Sequence, residues 1–345
     1  MKILKSIFIF LLIVISVIIF LEIIPIAPKY PNTNPWIVEE GERPLIIPHG
    51  GAKLLYPENT IYSFEQLDND GYDVFEIDLC LTKDDILISH HDVTFINDQG
   101  EEKTIKDLSY QEIIQEKQNF AIDFVNLENE KPFESPNSEI LPKLKPAKLI
   151  DLFNTYPDKK YILELKDTVE HSGKEIFKEA VDALLTLIKD KKMENQVIVS
   201  SFDDTITKLF QEKSNNSVMT STATKDSTNF VLYSILKVDF FYRPKDGALI
   251  LPYKEVIPDS QLDLVKKLPG FIRKKLTTYD KENDIYYTNI VKQSIIDDAH
   301  RHNMSVFYWT VNDKDEMIKL INMGVDGIIT DRPDLLKEVY EELGI

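Results

Sequence analysis

Short apolar runs alternate with stretches of helical spacing along most of this chain, and the alternation is clearest towards its two ends. Leu45–Pro48 reads as a buried parallel strand that stops at His49-Gly50-Gly51, where glycine permits close backbone approach to a ligand. Ile61, Phe64 and Leu67 then recur at helical spacing, with Gly71 ending the helix. In the next strand, Val74–Leu81, Glu76 and Asp78 alternate with Phe75, Ile77 and Leu79, so the two carboxylates share one face. A further apolar run, Ile86–His90, reads as the next strand and delivers His91-Asp92 at its end.

Between about residues 93 and 148 the rhythm breaks into charged, Pro- and Asn-rich sequence, which predicts an insertion. It returns with a helix over Lys148–Phe153 and a strand, Tyr161–Lys166, in which Glu164 and Lys166 share a face. A helix over 173–191, a strand over Val197–Phe202, and strands near 217–221 and 248–252 follow. After a poorly legible stretch to Ile290 come a helix over 290–302, the strand Ser305–Thr310, a helix over 313–323, the strand Val325–Thr330 and a last helix. Roughly eight parallel strands alternating with helices predict a (β/α)8 TIM barrel, with the insertion after the second or third strand. A doubly wound sheet is the alternative, but His49-Gly50-Gly51-Ala52-Lys53 lacks its glycine fingerprint.

Residues 1–24 differ in kind. Lys2 and Lys5 precede the apolar run Ile7–Leu21, which resumes after Glu22 as Ile23-Ile24. This predicts an uncleaved N-terminal transmembrane helix with its lysines inside, giving a membrane-anchored protein with an extracytoplasmic domain. A cleaved signal peptide, and hence a secreted protein, is the competing reading, for which Pro25-Ile26-Ala27-Pro28 is a poor cleavage site. Residues 25–43 read as a stiff, Pro-rich linker and 44–345 as the barrel domain. The net charge of −18 argues against a nucleic-acid partner. Cys80 is the only cysteine in the chain, so no intrachain disulfide forms, and it reads as a core residue.

Paired carboxylates on a strand face repel each other unless a cation lies between them, and oxygen ligands suit Mg²⁺ or Ca²⁺. Two histidines at strand ends can divide acid and base work. Each feature alone is more often structural. Inside a barrel, however, inward carboxylates near strand ends gather at the C-terminal face, where barrel enzymes keep their active sites. On that ground Glu76, Asp78 and Glu164 are assigned as metal ligands. His49 and His91 are assigned as the acid–base pair, and Lys166 as a positive charge for the negative charge that develops on a substrate.

The ordered set His49-Gly-Gly, Pro57-Glu-Asn-Thr, Gly71-x-Asp73, Glu76-x-Asp78, Thr82-x-Asp84, His91-Asp92, Glu164-Leu-Lys166, Ser201-Phe202, Trp309-Thr-Val-Asn312 and Gly324–Asp331 resembles the glycerophosphodiester phosphodiesterase family. The resemblance runs from about Pro44 to the C-terminus. It implies a TIM barrel, a divalent metal on the same three carboxylates, Lys166 as a charge on the phosphate oxygens, and hydrolysis of glycerophosphodiesters to glycerol 3-phosphate and an alcohol, with a cyclic phosphate as the expected intermediate. One departure stands out: the family places Arg directly after its first His, and this chain has Gly50, with Lys53 nearby as a substitute charge. Trp309 either walls the pocket or fills the barrel mouth. His90 reads as a bystander, and His300 and His302 as solvated. The substrate is expected to be a free glycerophosphodiester, a lysophospholipid (a lysophospholipase D-type reaction) or a cell-wall polyglycerophosphate. A phosphoinositide phospholipase-type enzyme and a non-catalytic, membrane-tethered binding protein are the other classes left open. The sequence leaves the oligomeric state unassigned.

Overall fold

The computed structural model describes residues 2–23, 28–39, 41–167 and 175–345. Eight strands form the barrel: β1 (Leu45–Pro48), β2 (Val74–Leu81), β3 (Lys160–Leu165), β4 (Val197–Ser200), β5 (Met219–Thr220), β6 (Ala248–Pro252), β7 (Ser305–Trp309) and β8 (Gly327–Thr330). β2, β3, β4 and β5 pair in parallel in that order. A parallel bridge between Ser221 and Ala248 carries the sheet on to β6. β6, β7, β8 and β1 continue in parallel, and β1 packs beside β2 to close the ring. Amphipathic helices such as Ile176–Lys191 and Pro333–Leu343 surround it, as expected for a (β/α)8 barrel.

The period-2 pattern sorts the core into two layers. On β2, Phe75, Ile77 and Leu79 face outward and pack with Leu163 and Leu165 of β3 against the helices. Val74, Ile162, Ile198, Phe307 and Ile329 fill the barrel interior. Glu76, Asp78 and Glu164 continue that inward series towards the C-terminal ends of their strands.

The run around Ile86 is not a barrel strand. Leu87–Ser89 pairs antiparallel with the end of β2, so the excursion begins there and continues through the hairpin Thr94–Ile96/Glu102–Thr104 and the helix Tyr110–Glu116. Strand direction depends on the connection, which an apolar run does not encode.

Two expectations about the N-terminal region are corrected. Lys2–Ile23 is helical, yet among the described residues no helix is long and apolar enough to cross a membrane. Lys5 and Glu22 bound the apolar run Ile7–Leu21, whose rise of about 22 Å falls short of the ~30 Å hydrocarbon core. Ile24 and Pro25–Ala27, with most of the weighed cleavage site, lie outside the described residues.

Nor does the segment after Ala27 stand away from the domain as a spacer. It caps the N-terminal end of the barrel, where Trp36 is buried edge-on against Phe307. Asn34 Nδ2 donates to the carbonyls of Gly247 and Asn303 at 2.7 and 3.0 Å, and the Val38 amide donates to Asp326 Oδ1 at 2.8 Å. The same packing removes His302 from solvent. Its ring is fully buried between the Pro28 carbonyl and Asp239, while His300 binds Asp326 at 2.8 Å.

Candidate active site

In the β2–β3 register Asp78 lies opposite Glu164, which puts two inward carboxylates side by side with Glu76 one pleat below. Their oxygens fall within 4.8 Å of one another. Lys166, one alternation beyond Glu164, reaches back to Glu164 at 2.7 Å and Asp78 at 2.9 Å. Asn59 Nδ2 donates to Asp78 Oδ2 at 2.8 Å, and the Gly50 amide donates to Glu76 Oε2 at 2.6 Å. The loops after β1 are thereby tied to the carboxylates. A capping box between Thr60 and Ser63 starts the helix Ile61–Asn69 and holds Asn59 in place.

The electrostatics follow from burial. Burial, reinforced by the charge of Asp78, pushes the Glu76 carboxyl up to about 8. Burial raises Glu164 as well, against the opposing pull of Lys166. Asp78 is the exception: burial would raise it, but Lys166 and Asn59 together hold it below the usual carboxylate range. Burial alone would lower Lys166, yet Glu164 and Asp78 hold its ammonium above its ordinary value.

Three carboxylates thus crowd around one ammonium, and the crowding shows in the proton that Glu76 retains. Asp78 Oδ1 makes no aligned hydrogen bond beyond its ion pair and has capacity for another partner. An all-oxygen donor set of this kind fits a hard divalent cation.

The two histidines flank the cluster. His49 ends β1, and its Nδ1 lies 2.8 Å from Asp331, whose other oxygen accepts from Asn312 Nδ2 at 2.8 Å. Burial pulls the His49 imidazole down, but the Asp331 hydrogen bond and the Glu76 charge outweigh it, leaving the pKa above 6.5. His91 lies on the insertion side, half exposed, with Nδ1 3.0 Å from Asp92. Its charge is felt by Asp78, Glu164 and Glu58. His90 turns away from it into an aromatic nest with Phe95 and Phe120, and its Nδ1 contacts the Asp92 carbonyl at 2.6 Å. It braces the turn that carries His91.

A cavity of about 400 Å³ opens beside His91. Lys53, Glu58 and Asn59 form its polar wall, and Phe120, Phe124 and Val125 of the insertion form its apolar one. Lys53 Nζ stands 3.9 Å from Glu58 Oε1, a buried oxygen without a hydrogen-bond partner. That oxygen would lie 3.0 Å from a Cβ at position 50, so a side chain after His49 would run against Glu58. Trp309 ends β7 at the mouth and meets Phe202 edge-on, with ring centroids 5.6 Å apart. The Phe202 ring in turn lies 5.8 Å from Lys166 Nζ.

All eight residues singled out from the sequence thus lie at the C-terminal end of the barrel. Glu58, Asn59, Asp331, Asn312 and Phe202 also belong to the site, and the sequence shows them only as parts of motifs. They sit in loops, where no periodicity reveals what a side chain touches.

Fold and site together define a (β/α)8-barrel enzyme with an acidic, histidine-flanked mouth. The chain belongs to the glycerophosphoryl diester phosphodiesterase family, whose model matches residues 49–335. It is 26% identical over 300 residues to a glycerophosphodiester phosphodiesterase of Caldanaerobacter subterraneus subsp. tengcongensis, covering 87% of this chain and 99% of that one. It is 23% identical over 303 residues to a lysophospholipase D of Rattus norvegicus, covering 86% of each. An Oleispira antarctica phosphodiesterase, solved in complex with the product sn-glycerol-3-phosphate, shares the fold with a TM-score of 0.58 at 16% identity, covering 87% of this chain and 97% of that one.

Proposed function

We propose that this chain hydrolyses glycerophosphodiesters to sn-glycerol 3-phosphate and an alcohol. In this reading Glu76, Asp78 and Glu164 hold a divalent cation, Mg²⁺ or Ca²⁺, and His49 and His91 share the proton transfers. The observation that carries it is the Asp78–Glu164–Lys166 cluster at the barrel mouth, with one histidine on each side. The product bound to the Oleispira antarctica relative supports the product class.

A bound divalent cation supplies Lewis-acid neutralisation of the phosphoryl oxygens. Lys166 adds a charge held in place by its two carboxylates, and Lys53 offers a second on the His49 side, where Gly50 provides no side chain. Trp309 walls the mouth. Asp331 accepts the Nδ1 proton of His49, which presents Nε2 for proton exchange.

One histidine takes the proton from the hydroxyl next to the esterified carbon, and that oxygen attacks phosphorus. The other protonates the departing alcohol as its P–O bond breaks, leaving a cyclic phosphate. Water then opens the ring with the two roles exchanged.

Purified protein offered a panel of glycerophosphodiesters tests the function: release of glycerol 3-phosphate supports it, and an unchanged panel refutes it. A substrate with hydrogen in place of the neighbouring hydroxyl tests the route. It should resist cleavage, and turnover at the parent's rate would show that water attacks directly.

A further inference from the structure

The site holds a carboxylate that the reaction described above leaves idle. Glu58 lines the cavity beside His91 and lies within reach of the charges of both histidines. Its Oε1 is buried without a hydrogen-bond partner, while the side chain as a whole is 34% exposed, so its open part faces the cavity. Among the described residues Lys53 is its only ion-pair partner, and at 3.9 Å that contact is too long for a hydrogen bond. Asp92 adds a second negative charge to the same wall. Chemistry at phosphorus makes the imbalance worse. Lys53 is also the charge offered to the phosphate, and once it turns there a partly buried carboxylate is left without a counter-charge, which is costly. Position 50 supplies none: glycine stands there, and Glu58 Oε1 occupies the space a side chain would enter, 3.0 Å from a Cβ.

We propose that Glu58 is a specificity-determining residue that sorts glycerophosphodiesters by the charge of their alcohol, favouring those whose leaving alcohol carries an ammonium group. The proposal rests on the phosphodiesterase reading above. In that reading the glycerol arm carries the attacking hydroxyl and stays with Lys166 and the strand carboxylates, so the alcohol arm is the one that extends into the cavity. An ammonium two carbons beyond the ester oxygen meets Glu58 there, with Asp92 on the same wall, and leaves Lys53 free for the phosphate. A neutral alcohol leaves Glu58 uncompensated. The selectivity is the difference between these two complexes, and the penalty on the neutral alcohol contributes as much to it as the new ion pair.

The test compares glycerophosphoethanolamine with glycerophosphoglycerol, whose alcohol is neutral, on the purified full-length protein supplied with Mg²⁺ or Ca²⁺. kcat/KM should favour the ethanolamine diester by roughly tenfold. Glu58→Gln keeps the shape and removes the charge, so the preference should shrink to about twofold or less, through a higher KM for the ethanolamine diester. Gly50→Arg brings a guanidinium against Glu58 Oε1 and should shrink the preference likewise. A merely structural role for Glu58 would instead lower both substrates in proportion.

Equal kcat/KM for the two diesters in the unmodified protein, or a preference that survives Glu58→Gln, overturns the proposal. Failure of the unmodified protein to cleave either diester would instead refute the phosphodiesterase reading.

Discussion

His49 at the end of β1 and Asp331 just beyond β8 meet at 2.8 Å through Nδ1 and a carboxylate oxygen, a contact across 282 residues that exists because the barrel closes β8 against β1. It fixes the imidazole tautomer and holds its pKa above 6.5. Asp331→Asn removes the carboxylate charge, so the His49 pKa should fall. Activity should drop as well, by up to the roughly 10²–10⁴-fold that a general acid or base provides. The pH–rate profile then identifies the role of His49. If it is the base, the acidic limb moves to lower pH; if it is the acid, the alkaline limb does. A profile in which neither limb moves would detach His49 from the chemistry.

The charge that grips phosphate on the His49 side is assigned to Lys53, since position 50 is glycine. Lys53→Ala should raise KM by roughly tenfold with a smaller effect on kcat. Unchanged kinetics would return Lys53 to the surface. Gly50 has φ +52, a left-handed conformation that costs a side chain about 1–2 kcal/mol, and its Cβ would crowd Glu58 at 3.0 Å. Gly50→Ala should therefore lower thermal stability, whereas Gly50→Arg gains Glu58 Oε1 as a partner and should lose less. Equal melting temperatures for the two variants would contradict this pairing.

Trp36 closes the barrel at the end opposite the site. Trp36→Ala should cost about 3–5 kcal/mol in chemical denaturation while leaving the specific activity of the folded fraction intact. A selective loss of kcat would mean that the two ends of the barrel are coupled.

The parts of this molecule that were legible in the sequence are those where one period dominates. Val74–Leu81 alternates so regularly that its outward Phe75, Ile77 and Leu79 and its inward Glu76 and Asp78 can be read directly, and Tyr161–Leu165 behaves likewise. The short strand Met219–Thr220 has too few residues to show a period. Leu87–Ser89 has the composition of a barrel strand but pairs antiparallel. The segment around Trp36 looked like a spacer because its prolines conceal any pattern, and its burial depends on partners more than 200 residues away. His302 is hidden for the same reason, since the Pro28 carbonyl, Asp239 and the rings of Phe230 and Tyr242 that enclose it are all distant in sequence. The apolar N-terminal run was over-read by counting past Glu22. At the site, the carboxylates on strands were assignable from alternation, whereas the loop residues Glu58, Asn59 and Asp331 acquire a role only once distant loops are brought together.

The metal requirement is the centre of the account, and the Glu76 carboxyl gives it a pH signature. Pushed up to about 8, this group holds a proton below that pH which a cation must displace. Apparent metal affinity should accordingly rise with pH up to about 8 and flatten above it. Titration of the metal-free chain at several pH values reads this, and an affinity independent of pH would place the ion elsewhere.

The most direct measurement follows glycerophosphodiester cleavage by phosphorus NMR in purified protein stripped with EDTA, before and after Mg²⁺ or Ca²⁺ is restored, with Glu76→Gln, Asp78→Asn and Glu164→Gln alongside. The account predicts glycerol 3-phosphate from the metal-restored protein only, with each variant behaving like the stripped enzyme. Full turnover in EDTA, or wild-type rates in all three variants, would contradict it.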